Sequence, residues 1–195
     1  NPDPFTLEQL LQKTQAGHLV QRSVNLATKE VELTPVQQPK ALKYDGKTLT
    51  HVFGPAYRLL IIGAGQLSEY LATMALFNGF QVTVCDPRKH HIHSWAIKNV
   101  EITHEMPDDA VTTFKPNSRS CIVALTHDPK LDDMALLSAL ESEALYVGAI
   151  GSRKNNEARR HRMIEYLDLS PDTVEKLYSP IGIFIGSKTP AEIAV

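Results

Sequence analysis

Five residues, "RLLII" from Arg58 to Ile62, run directly into "GAG", and a stretch with apolar residues at helical spacing then continues to Asn78. A continuous apolar run bounded by glycine reads as a strand covered on both faces. A helix in the connection sends the next strand, "QVTVC" (Gln81–Cys85), back parallel to the first, because a helix-length connection is a crossover rather than a hairpin. The same alternation returns in "SCIVALT" followed by "HDPKLDDMALLSAL", and in "ALYVGAIGSRK", with a further short strand at "VEIT". In the first of these helices Leu67, Leu71 and Met74 share a face, and in the second Leu136, Leu137 and Leu140 point inward. The fold class this predicts is α/β, an open parallel sheet with helices on both faces.

Upstream the pattern is weaker. "FTLEQLLQK" reads as a short helix, with Thr6 and Gln9 at capping-box spacing and Leu7, Leu10 and Leu11 on one face. "HLVQRSVNL", "EVELTPV" and "TLTHVF" read as short strands, and "FGPAY" marks a boundary. The expected division is a small β-rich segment over 1–54 and an α/β domain over 55–195. The chain opens on "NPDPF" and stops at "TPAEIAV" as a helix begins, so a trimmed protein is expected.

Composition narrows the functional classes. A net charge of -2 and a pI near 6.5 lack the domain-wide basic footprint of a nucleic-acid binder. No apolar run approaches the roughly 18 residues of a membrane span, and the N-terminus lacks a signal layout. Cys85 and Cys121 sit in apolar strand-like runs, which predicts buried free thiols and a cytoplasmic protein. "HHIH" (His90, His91, His93) has no supporting ligand set, so no metal is expected.

Four places could hold a ligand. Gly63 and Gly65 leave a strand and open a helix, as a phosphate-binding turn requires, with Ser68 at the third position. Asp86 ends the next strand, where an acid takes ribose hydroxyls or simply makes an Asp-Pro turn; Arg88 pairs with it or accepts a phosphate. Thr126 and His127 lie at the end of "SCIVALT", with Asp128 as the N-cap and Pro129 at the first position of the following helix. In "GAIGSRKNNEARRHR", Ser152 caps a helix whose first turn carries Arg153 and Lys154, cations that oppose the helix dipole unless an anion is near. A glycine-proline loop, "YSPIGIFIGSKTP", follows, with Thr189 as a further helix cap. No Lys, Tyr or Cys stands in a convincing catalytic position.

In order and with short spacers, "LLIIGAGQLSEYLATMALFNGFQVTVCDPR", "VALTHDPKLDDMALLSAL", "YVGAIGSRKNNEARR" and "SPIGIFIGSKTPAEIAV" resemble the C-terminal domain of the XdhC/CoxI family over roughly residues 48–195. That family comprises accessory factors of xanthine dehydrogenase and related molybdenum hydroxylases. The resemblance implies a Rossmann-like domain that binds the molybdenum cofactor, a pterin with a terminal phosphate (molybdopterin), protects it and helps insert it into the hydroxylase, in some members with a cysteine desulfurase as a further partner. The expected cofactor-binding set is Gly63, Gly65, Gln66, Asp86, Thr126, His127, Gly151, Ser152 and Arg153. The chain departs from the family at Gln66, usually His, at Ser68, often Gly or Ala, and at Ser187-Lys188. The family's N-terminal block is absent from residues 1–54. An NAD(P)-dependent oxidoreductase and a non-catalytic nucleotide-binding protein stay open as alternatives, as does a homodimer.

Overall fold

The computed structural model describes residues 3–38 and 40–195, and the chain divides into two units, Asn1–Ala56 and Tyr57–Val195. In the first unit α1 (Pro4–Gln15) starts at Asp3, whose carboxylate accepts from the amides of Phe5 and Thr6, with Pro4 in the first turn. Thr6 is therefore inside the helix and not its cap. Asp followed by Pro wins because Asp is the stronger cap and proline suits the first helical position. Of Leu7, Leu10 and Leu11, Leu10 alone is buried. The helix packs on β1 (Val20–Asn25) and β2 (Val31–Pro35), which join β3 (Lys43–Tyr44) and β4 (Thr48–Phe53) in an antiparallel sheet of order β2-β1-β4-β3. The three longer strands are those read from the sequence. β3 has two exposed residues and no alternation to betray it.

The second unit runs β5 (Arg58–Ile62), α2 (Gln66–Phe77), β6 (Gln81–Cys85), α3 (Lys89–His93), β7 (Glu101–Thr103), α4 (Pro107–Phe114), β8 (Ser120–Ala124) and α5 (Pro129–Leu140). It continues through β9 (Tyr146–Ala149), α6 (Arg153–Glu165), α7 (Pro171–Glu175), β10 (Leu177–Tyr178) and α8 (Pro190–Ala194). The strands form one parallel sheet of order β10-β9-β8-β5-β6-β7. Alternation along β5 divides the core: Leu60 and Ile62 pack with α4, α5 and α6, while Leu59 and Ile61 pack with α2. This is the Rossmann-like sheet covered on both faces that the sequence predicts.

α2 approaches the sheet through small side chains. Ser68, Ala72 and Ala75, at helical spacing, are its buried residues, and Leu67 and Leu71 flank them. The leucine face expected from the sequence lies to the side because a close helix–sheet contact admits only small groups along its centre. Asp128 and Ser152 cap α5 and α6 as expected, accepting from the amides of Lys130 and Asn155. Thr189 and Glu192 form a full capping box on α8.

Candidate functional site

β5 has β6 on one side and β8 on the other, so the connections leaving β5 and entering β8 run in opposite senses across the sheet. Such a switch point opens a crevice beyond the carboxyl ends of the strands. Every residue expected to bind a ligand follows one of these ends: Gly63, Gly65 and Gln66 after β5, Asp86 after β6, Thr126 and His127 after β8, and Gly151, Ser152 and Arg153 after β9.

The β5 turn is tied down on both sides. Gly63 has φ +109°, and its amide donates to the Cys85 carbonyl at 2.7 Å. A Cβ on Gly63 would stand 3.0 Å from the Thr126 main chain, so a glycine there lets the β5 and β8 exits touch. Gly65 differs. Its φ of -96° is ordinary, and nothing lies within 4 Å of where its Cβ would be. Gln66 is exposed beside it. The Asp86 carboxylate is wholly buried, and both of its oxygens are engaged. Oδ2 accepts from the Ala64 amide and from Arg88 Nη2, each at 2.9 Å. Oδ1 accepts from the Arg88 amide and Nε at 3.0 and 2.9 Å. Burial opposes its charge, but Arg88 and the two amides outweigh that and hold the carboxyl below its usual range. Asp86 thus clamps the glycine turn and Arg88 and presents no free oxygen to a ribose. Of the two roles open to Arg88, pairing with Asp86 is what the geometry shows.

Thr126 is similarly committed. Its hydroxyl donates to Asp132 Oδ1 at 2.7 Å and accepts from the Asp128 amide at 2.9 Å. It serves as a brace for the β8–α5 turn. His127, next to it, is exposed and takes the left-handed conformation, φ +60°. Asp132 and Asp133 then reach across to α6. Arg159, 5% exposed, bonds Asp132 Oδ2 at 3.1 Å, Asp133 Oδ1 at 3.0 Å, Asn156 Oδ1 at 2.9 Å and the Ile150 carbonyl at 3.1 Å. Arg162 pairs with Asp133 Oδ2 at 2.7 Å. Arg160 donates to the carbonyls of Val174 and Leu177, and His161 lies 3.3 Å from Glu165. Most of the positive charge in "GAIGSRKNNEARRHR" is therefore internal wiring. Arg153 and Lys154, both exposed, have no acidic partner among the described residues.

Sequence patterns did not single out Asn156, yet it joins the turn to the loop. Its Nδ2 donates to the Gly151 carbonyl at 3.0 Å, and its Oδ1 accepts from Arg159 and from the Ser179 hydroxyl. Gly151, at φ +145°, leaves the space that Asn156 fills. Ser179 precedes a cis Pro180, and Ile181 donates to the Ala149 carbonyl while packing over Gly148, where a Cβ would meet it at 2.7 Å. Two clefts result. One of about 210 Å³ is lined by His127, Pro129, Ile150, Gly151 and Asn155, with Asp132, Arg159 and Arg162 in its wall. The other, about 450 Å³, lies between Gly151, Ser152 and Arg153 and the loop Pro180, Ile181, Gly182, Ile183, Phe184 with Ser187. Gly151 lines both, so the β8 and β9 residues converge. Gly63, Gly65, Gln66 and Asp86 line neither; they form a second corner on the β6 side of the switch point.

Cys85 is buried, and burial, with help from Asp86, Glu105 and Asp108, pushes its thiol up to about 12. Cys121 is half-buried and its pKa is also raised by burial. Among the described residues no group of His, Cys, Asp and Glu has the arrangement of a metal site, and no helix is long and apolar enough to cross a membrane.

A parallel, doubly wound sheet with a glycine turn at its switch point defines a domain of the Rossmann class. The model of the XdhC Rossmann domain matches residues 59–195, and the chain belongs to that family. It is 30% identical over 143 residues to a protein of Bacillus subtilis described as a probable xanthine dehydrogenase subunit, a match spanning 72% of this chain and 41% of that protein. It is 25% identical over 146 residues to the uncharacterized protein YqeB of Escherichia coli, covering 74% of this chain and 26% of that one. A crystal structure described as a xanthine dehydrogenase from Bacillus halodurans superposes with a TM-score of 0.74 at 25% identity, over 97% of this chain and 60% of the other. The chain thus spans less than two thirds of each of these relatives.

Proposed function

We propose that the chain is the ligand-binding part of an accessory protein for a xanthine dehydrogenase-type hydroxylase, and that it holds the molybdenum cofactor before handing it over. The observation that carries this reading is the polarity of the cleft beside β9. At one end stand the uncompensated Arg153 and the first amides of α6; at the other stand Pro180, Ile181, Ile183 and Phe184. A phosphate suits the first end and a flat heterocycle the second. The volume, about 450 Å³, is in the range of small-molecule sites. Both thiols of the chain lie in or against the core. These residues therefore fit the pterin and its phosphate and offer no sulfur to the metal. When delivered, the cofactor supplies the redox-active metal of the hydroxylase; this chain orients its organic part and excludes water. Ser152 keeps the turn in shape by capping α6, and Asn156 holds the covering loop against it. The kinship with a protein described as a probable xanthine dehydrogenase subunit supports the choice of client.

The test is to purify the full-length protein from cells that make both the cofactor and the hydroxylase, and to oxidise any bound pterin to its fluorescent product. Stoichiometric pterin is expected, falling at least tenfold in Arg153→Ala at unchanged Tm. A pterin-free protein whose deletion leaves hydroxylase activity intact would refute the proposal.

A further inference from the structure

The corner on the β6 side of the switch point has its own chemistry, independent of the cleft beside β9. From Pro87 to Val100 the chain carries Arg88, Lys89, Lys98 and three histidines and no acidic residue. This stretch begins where the turn after β5 is bonded, since the Asp86 oxygen that accepts from Ala64 also accepts from Arg88. In a doubly wound fold the end of this strand is where the ribose of a dinucleotide is read: a free acid accepts from its two hydroxyls, whereas an arginine takes a phosphate carried on the ribose. Here the acid is spent. All four bonds to Asp86 come from within the chain, and its side chain is fully buried. A diol would meet no acceptor. The same bonds fix the Arg88 guanidinium by Nε and Nη2, with Nη1 taking part in neither and the side chain 28% exposed. Lys89 and His90 beside it are exposed, and the His90 and His91 rings lie 4.4 Å apart. Asp128 and Asp132 act on Arg88 only through space. The open position at Gly65 leaves room for the rest of a nucleotide in front of α2.

We propose that Arg88 and Lys89 select a nucleotide bearing a phosphate monoester on its ribose, of the NADP type, over one with a free ribose diol. Arg88 is pre-oriented by Asp86, and Lys89 adds a second cation. Trp95, the single tryptophan, lies in the same stretch and packs against the α2-side core. Its emission overlaps nicotinamide absorption and reports binding directly.

The experiment titrates the full chain with NADPH and NADH, following energy transfer from Trp95, with 2′-AMP and 5′-AMP as competitors. NADPH should bind at least tenfold more tightly than NADH, and 2′-AMP should compete better than 5′-AMP. Arg88→Gln should bring the two dinucleotides within about threefold. Because that variant also releases Asp86 and could unfold, Lys89→Gln serves as the second arm. It lies on the surface, and should weaken NADPH severalfold while leaving NADH and Tm unchanged. Equal affinities, tighter NADH, no binding of either at millimolar concentration, or a ratio unmoved in Lys89→Gln would overturn the proposal. Pterin content, measured on the same samples, reports the β9 cleft separately.

Discussion

Two glycines two residues apart, Gly63 and Gly65, should respond oppositely to the same added methyl. At Gly63 the backbone is at φ +109°, a region that costs an L-residue about 1–3 kcal/mol. The new Cβ would also stand 3.0 Å from both Thr126 Cα and N and 3.1 Å from the Leu125 carbonyl carbon. These are main-chain atoms of the turn after β8 and cannot rotate away, so an overpacking cost of about 1–3 kcal/mol is added. Gly63→Ala should therefore lose about 3–4 kcal/mol, a large part of the roughly 5–15 kcal/mol available to a domain. At about 2–4 °C per kcal/mol for a domain of this size, Tm should fall by roughly 10 °C. At Gly65 the conformation is open to any residue and no atom lies within 4 Å of the added carbon. Gly65→Ala exchanges a slightly worse N-cap for a less flexible unfolded chain, and the two effects nearly cancel, leaving stability within about 1 kcal/mol. What it should lose is close approach of an anion to the start of α2. Circular dichroism melts and urea titrations of both variants decide the matter. A Gly63→Ala protein with the parent Tm, or a Gly65→Ala protein destabilised as far, would refute the division of labour between the two positions.

Arg159→Met should cost about 3–5 kcal/mol by urea unfolding, because it strands the buried Asp132 without its cation while Asp133 keeps Arg162; Lys154→Met, exposed in the first turn of α6, should stay within about 0.5 kcal/mol. Cys85 should resist iodoacetamide at pH 9 in the folded protein and react at once in urea, with Cys121 modified first, as read by peptide mass spectrometry. The thiol ionises near 8.5 in an unfolded chain and only at about 12 when buried, so its burial stabilises the fold fully below about pH 8.5 and progressively less as pH climbs toward the folded value. Rapid labelling of Cys85 at pH 8 without unfolding would contradict the burial.

The sheet was legible because its strands carry their own signal. β5, β6, β8 and β9 are short apolar runs that lead into glycine, Asp-Pro or Thr-His, and the helices after β8 and β9 have caps, Asp128 and Ser152, that can be named from the sequence. α4 escaped notice although it buries Pro107, Ala110, Val111 and Phe114, because eight residues hold scarcely two turns of periodicity. The site was legible by position and much less by role. Asp86, Thr126 and Arg159 look equally available in the sequence, but each is used up by a partner that strand order brings within reach: Ala64 and Arg88, Asp132, and the Asp132–Asp133 pair. A buried ionic or hydroxyl group must find partners inside the protein, so the polar residues nearest the sheet serve the fold first. The residues proposed to meet a ligand are Arg153 at β9 and, at β6, Lys89 with Arg88, whose guanidinium Asp86 already holds in place. Asn156 makes the same point from the other direction. An asparagine in the first turn of a basic helix gives no sequence signal, yet the turn at Gly151 and the loop at Ser179 meet on its amide. The geometry of the β9 cleft therefore hangs on a residue that does not line it.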